Sequence, residues 1–256
     1  MSSDPIEVEV RRQTAILRIN RPHVHNSINL EAMECLESKM RQLRRQSQIR
    51  AIILTAAGNE SFCSGGDLNY FAQLKTRRAG LAMSRRMQSI LSRLCETQWV
   101  VIAAINGQAL GGGCEILTAC HFRIAVPRAT FQFRQGPNGL ITGWGGGIRL
   151  FQLAGQSQAL RLLLKAEAIN AKEALRIGFI DQIVSSRQLM NAALKLADTI
   201  NQYPLLAIRS FLEVARLARL ANHQQAVRRE TELFGDCWIG KDFRKMLSRF
   251  IQNKQK

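Results

Sequence analysis

The stretch best suited to chemistry is Ala109 to Ile116, ALGGGCEI, where three glycines run into a cysteine and a glutamate. Bare glycines where a turn enters a helix let a ligand approach the backbone closely. The first N–H groups of a helix have no internal partners and sit at the positive end of its dipole. They can bind an anion, or an oxygen that becomes one during reaction. The N–H of Gly112 is the candidate donor, and Glu115 follows in the same turn within reach of the same pocket. A second glycine loop, FCSGGDL (62–68), follows the apolar run AIILT and offers the N–H of Gly66. A parallel sheet brings strand ends to one edge, where α/β ligand sites form, so the two amides are expected to face each other. Neither loop carries the G-x-G-x-x-G dinucleotide pattern, and the P-loop pattern is absent. Taken singly, each loop fits tight helix–strand packing. The pair, ordered after two strands, points to a site.

Those loops need a sheet to position them. IEVEV and TAILRIN alternate around a polar turn and predict a hairpin. Asn29 can cap a helix to about Gln46 with an apolar stripe of Leu30, Met33, Leu36, Met40 and Leu43. AIILT (51–55), WVVIAAI (99–105) and FRIAV (122–126) read as buried strands, with helical spacing over 80–95 between the first two. Apolar strands alternating with helices imply a mostly parallel sheet covered on both faces. From about residue 146 the pattern is helical except at FIDQIV (179–184). The expected architecture is an α/β core over residues 1–195 with a helical C-terminal extension over 196–256.

Composition narrows the class. The chain has 256 residues, 46% of them apolar, which favours a folded core over disorder. Its N-terminus shows no apolar leader and no run reaches membrane-spanning length, so a cytoplasmic protein is expected. Six cysteines are scattered without a CxxC pair, which favours buried thiols in a reducing compartment and no metal site. The net charge of +17 calls for an anionic partner: nucleic acid, an anionic surface or a phosphorylated small molecule. Arg41, Arg44 and Arg45 share one helical face. No aromatic residues interleave with them as stacking platforms would, so a solvated face ranks above RNA binding.

FCSGGDL, INGQALGGGCEI and FRIA, with NRPHVHNSIN near the start and EALRIGFIDQIV later, resemble the crotonase superfamily of enoyl-CoA hydratases and isomerases. The resemblance implies a spiral of ββα units with C-terminal helices, assembled as trimers or paired trimers. It implies a coenzyme A or pantetheine thioester as substrate, with no separate cofactor. The thioester oxygen would sit between the amides of Gly66 and Gly112, with Glu115 handling the proton. Val24 and Leu68 would line the adenine end, and Lys241 would reach a CoA phosphate across a subunit boundary. Hydratases of the family use a second glutamate, whose place is held here by Gln135. Glutamine has no titratable proton, so a fast two-glutamate hydration is not expected. GLITGWGGG, SGGDLN and ETELFGDCW look like the branch that decarboxylates short malonyl-type CoA esters. Gln135 and Asn138 would hold the departing carboxylate there, and Trp144 would wall the pocket or simply pack in the core. Decarboxylation and double-bond isomerisation stand level on these residues, with hydration behind.

Overall fold

The computed structural model describes residues 4–95, 99–220 and 223–253. Strands β1 (Ile6–Arg11) and β2 (Thr14–Ile19) form the expected hairpin, with Ile6 opposite Ile19 and Arg11 opposite Thr14. Helix α1 (Leu30–Arg44) begins at Asn29, whose side chain accepts from the Ala32 amide. Its buried stripe is Met33, Leu36, Met40 and Leu43, while Leu30 at the first position is exposed instead. Next come β3 (Ala51–Ala56), β4 (Ser61–Cys63), α2 (Leu68–Gln73), α3 (Arg77–Cys95), β5 (Val100–Ile105), β6 (Gln108–Leu110) and α4 (Gly112–Thr118). Then follow β7 (Phe122–Ala125), β8 (Thr130–Gln132), α5 (Gly146–Leu160), β9 (Ile169–Asn170), α6 (Ala171–Arg176) and β10 (Gln182–Ile183). Helices α7 (Leu189–Asn201), α8 (Leu205–Leu220), α9 (His223–Ile239) and α10 (Lys241–Asn253) complete the described chain.

The large sheet has the order β1-β2-β3-β5-β7-β10 and is parallel except at the hairpin. Every residue of β3 and β5 is buried, as continuous apolar runs require when both faces are covered. A second sheet, β4-β6-β8-β9, is built from strands of two or three residues. Each ββα unit therefore contributes its first strand to the large sheet and its second to the small one. Pairs β3–β4, β5–β6 and β7–β8 repeat this pattern.

The small sheet positions the site. Strand β4 pairs parallel with β6, and β6 with β8. Neighbouring parallel strands release their loops side by side, so the segments after β4, β6 and β8 emerge together. They carry Gly66, Gly112 and Gln135. The glycine loops thus follow β4 and β6, not β3 and β5 as the sequence reading had it. The C-terminal helices are bound to the core: α7 packs on β5 and β3, and α9 on α3. The expected join at residue 195 falls inside α7.

Candidate active site

Gly65 and Gly111 have φ of +96° and +49°, a left-handed region that side chains rarely adopt. These turns bring the two glycine loops into contact: a Cβ on Gly65 would sit 2.9 Å from the Gly112 nitrogen. Gly66 and Gly112 line one cavity of about 700 Å³, and neither amide donates a hydrogen bond within the described chain. Each glycine is backed by an aromatic ring, Phe71 behind Gly66 and Trp144 behind Gly112, where a Cβ would overlap the ring. Trp144 is 3% exposed, lines the cavity and donates from Nε1 to Met83 Sδ at 3.4 Å. It packs in the core and walls the pocket at once.

Glu115, one turn into α4, is 2% exposed. Its Oε1 accepts from Gln135 Nε2 at 3.0 Å and the Gly143 amide at 3.3 Å. Its Oε2 accepts from the Trp144 amide at 2.7 Å and the Gly146 amide at 3.0 Å. A carboxylate offers about four lone-pair directions, and these four N–H donors fill them. Burial pushes the carboxyl pKa upward, opposed by the Gly146 and Trp144 amides, the Arg149 charge and the Gly143 amide. Arg149 is itself buried, donating from Nη2 to the Trp144 carbonyl at 2.7 Å and from Nε to Thr118 Oγ1 at 3.1 Å.

The peptide between Gly143 and Trp144 is held from its other side. Its carbonyl accepts from Ser84 Oγ at 2.5 Å and Gln88 Nε2 at 3.0 Å. Gln88 Nε2 also donates to Thr231 Oγ1 on α9 at 2.7 Å. Helices α3 and α9 therefore fix the peptide whose N–H grips Glu115.

The remaining residues around the site fall as follows. Gln135, Asn138, Val24 and Leu68 line the cavity with Glu115, Gly66 and Gly112. Lys241 is exposed at the start of α10 and does not line it; its expected contact would cross a subunit boundary. Asp67 caps α2, accepting from the Asn69 and Tyr70 amides, and pairs with Arg21 at 3.1 Å. His121 accepts from the Val101 amide at 3.0 Å, a structural role. Sequence reasoning missed Arg149, Ser84 and Gln88, and also Phe234, Phe243, Met246 and Phe250, which wall the cavity from α9 and α10. The helical spacing of 243, 246 and 250 was a readable signal for an inward stripe. Nothing local marked the buried polar residues. Among the described residues no cluster of histidine, cysteine and acidic side chains could hold a metal ion.

The profile described as enoyl-CoA hydratase/isomerase matches residues 9–256. The chain belongs to the enoyl-CoA hydratase/isomerase family. It is 31% identical to a short-chain-enoyl-CoA hydratase of Clostridium acetobutylicum over 258 residues, covering 100% of this chain and 97% of that one. It is 32% identical to an ethylmalonyl-CoA decarboxylase of Gallus gallus over 228 residues, covering 88% of this chain and 76% of the relative. An enoyl-CoA hydratase/isomerase structure from Xanthobacter autotrophicus Py2 superposes with a TM-score of 0.92 at 22% identity, covering 98% and 94% of the two chains. That likeness speaks for the crotonase fold alone.

Proposed function

We propose that this chain decarboxylates a short malonyl-type acyl-CoA, holding the thioester enolate between the amides of Gly66 and Gly112. One observation carries this reading: the site offers no free carboxylate. The oxygens of Glu115 are engaged by four N–H donors, and the second acid position holds Gln135. Hydration needs an acid and a base around one water, and isomerisation needs a base that takes and returns a proton. Loss of carbon dioxide needs neither. The C–CO2 bond breaks, its electron pair flows onto the thioester oxygen, and two fixed amides meet the new charge. Such preorganised donors favour the charged state over the ground state, and losing one typically costs about 100- to 1000-fold in rate. The walls at Leu140, Ile141, Trp144 and Phe234 are apolar, which favours a departing neutral molecule over a bound carboxylate. In this reading Glu115 anchors Gln135 and the 143–146 turn.

The relative from Gallus gallus supports the decarboxylase reading, while the one from Clostridium acetobutylicum keeps hydration in the test. Purified protein should be offered crotonyl-CoA, a 3-enoyl-CoA, methylmalonyl-CoA and ethylmalonyl-CoA. The expected result is carbon dioxide release from a malonyl ester with the highest kcat/KM of the set. A higher kcat/KM for hydration or double-bond migration overturns the proposal.

A further inference from the structure

We propose that the side-chain carbonyl of Gln135 holds the water that protonates the α-carbon, so that the proton arrives on one face only. This rests on the decarboxylase reading above. Gln135 is fixed at both ends. Its backbone carbonyl accepts from the Asn138 amide at 3.0 Å and the Leu140 amide at 2.9 Å, closing the tight turn Gly136–Asn138. Its Nε2 donates to Glu115 Oε1 at 3.0 Å. An ionised carboxylate only accepts, so Glu115 also decides which way the amide faces. The nitrogen must point to Glu115 and the oxygen away from it.

That oxygen is buried and meets no donor among the described residues. A buried acceptor without a donor typically costs about 1–3 kcal/mol, a cost removed when a donor arrives. The location of this one is informative. Gln135 Nε2 lies 3.9 Å from where a Cβ on Gly111 would stand, one residue from the Gly112 amide. Gln135 lines the same cavity as Gly111 and Gly112, so the amide group that carries the bare acceptor stands near the proposed enolate oxygen site. The alkyl group, the thioester sulfur and an ionised carboxylate carry no proton to give it. Water does, and it keeps a second proton for carbon.

The step balances with water as the named co-reactant. The C–CO2 bond breaks to give carbon dioxide and the enolate. One O–H bond of the water then breaks, its proton bonds to the α-carbon, and the enolate pair forms the new C–H bond as the carbonyl is restored. The hydroxide left behind combines with carbon dioxide as bicarbonate. Gln135 exchanges no proton; it aims one.

The test reads stereochemistry, which a merely structural role would not move. The full-length protein is given fresh ethylmalonyl-CoA in D2O and quenched before the substrate exchanges its own α-hydrogen. Wild type should give a single enantiomer of 2-deuterated butyryl-CoA. Gln135→Leu, which keeps bulk and loses the acceptor, should release carbon dioxide more slowly and give both enantiomers. Gln135→Glu, which keeps an acceptor oxygen, should restore one. If Gln135→Leu fails to fold, as judged by circular dichroism, Gln135→Met serves in its place. A single enantiomer from the folded acceptor-less variant overturns the proposal while leaving the decarboxylase reading standing. A raised KM with stereochemistry unchanged also overturns it, and assigns Gln135 to an N–H of the pantetheine arm. No carbon dioxide from wild type with either malonyl ester overturns the reading on which it rests.

Discussion

Glu115 shows how a residue legible in sequence can change its expected role once its neighbours are known. A glutamate after three glycines reads as a proton carrier, and Glu115→Gln would then abolish turnover at little structural cost. The four N–H donors around it give a different expectation. An amide at this position turns its own N–H groups toward backbone N–H groups. Glu115→Gln should therefore cost about 1–3 kcal/mol of stability as well as activity, read as a lower urea midpoint. The pH dependence has a definite sign. Burial raises the folded-state pKa, so the folded protein binds this proton more tightly than the unfolded chain does. The stabilisation is complete below the unfolded pKa and is lost as pH rises through the folded one. The advantage of wild type over Glu115→Gln should narrow across that rise, as followed by urea unfolding at a series of pH values. Gly66 and Gly112 stood out as bare positions in their loops and Gln135 only through the family resemblance; the structure sets all three on one cavity. Arg149, Ser84 and Gln88 did not stand out, since a polar side chain in a helix looks the same in sequence whether it meets water or a buried carbonyl.

At the scale of elements, long helices and buried strands declared themselves through caps and periodicity. Strands β4, β6, β8 and β9 did not, because two or three residues are too few to show a period. Yet these strands set the loops beside one another. The clasp formed by α9 and α10 was legible only in part: the spacing of 243, 246 and 250 marked an inward stripe, but nothing local showed that Trp238 would meet Phe71 and Gly80. Trp238 is fully buried, with ring centroids 5.1 Å from Phe71, 5.3 Å from Phe234 and 5.0 Å from Phe243. Its Nε1 donates to the Leu74 carbonyl at 2.7 Å, and its ring lies where a Cβ on Gly80 would stand. Trp238→Ala should cost about 3–5 kcal/mol and loosen the aromatic wall. Thermal unfolding and a raised KM for the acyl-CoA would register the two effects.

For the molecule as a whole, charge and thiols were readable and assembly was not. Cys63 and Cys120 are buried, with pKa values pushed up by burial to about 12, and Cys114 is driven higher in the same way. A thiolate is the reactive species, so a maleimide on the native protein should label only Cys35 and Cys237 among the described thiols, both of them half-buried. Mass spectrometry after brief labelling checks this. Helix α8 exposes Leu206, Phe211 and Val214 at 78, 76 and 62%.

The bridge from Ser84 and Gln88 through the Gly143 carbonyl, closed by Thr231, ties the cavity around Glu115 to a helix late in the chain. A ribosome delivers that helix near the end of synthesis. The sheets can form while it is still in the exit tunnel, but the cradle around Glu115 lacks its outer brace until Thr231 emerges. A nascent chain would therefore look folded before it could turn over anything.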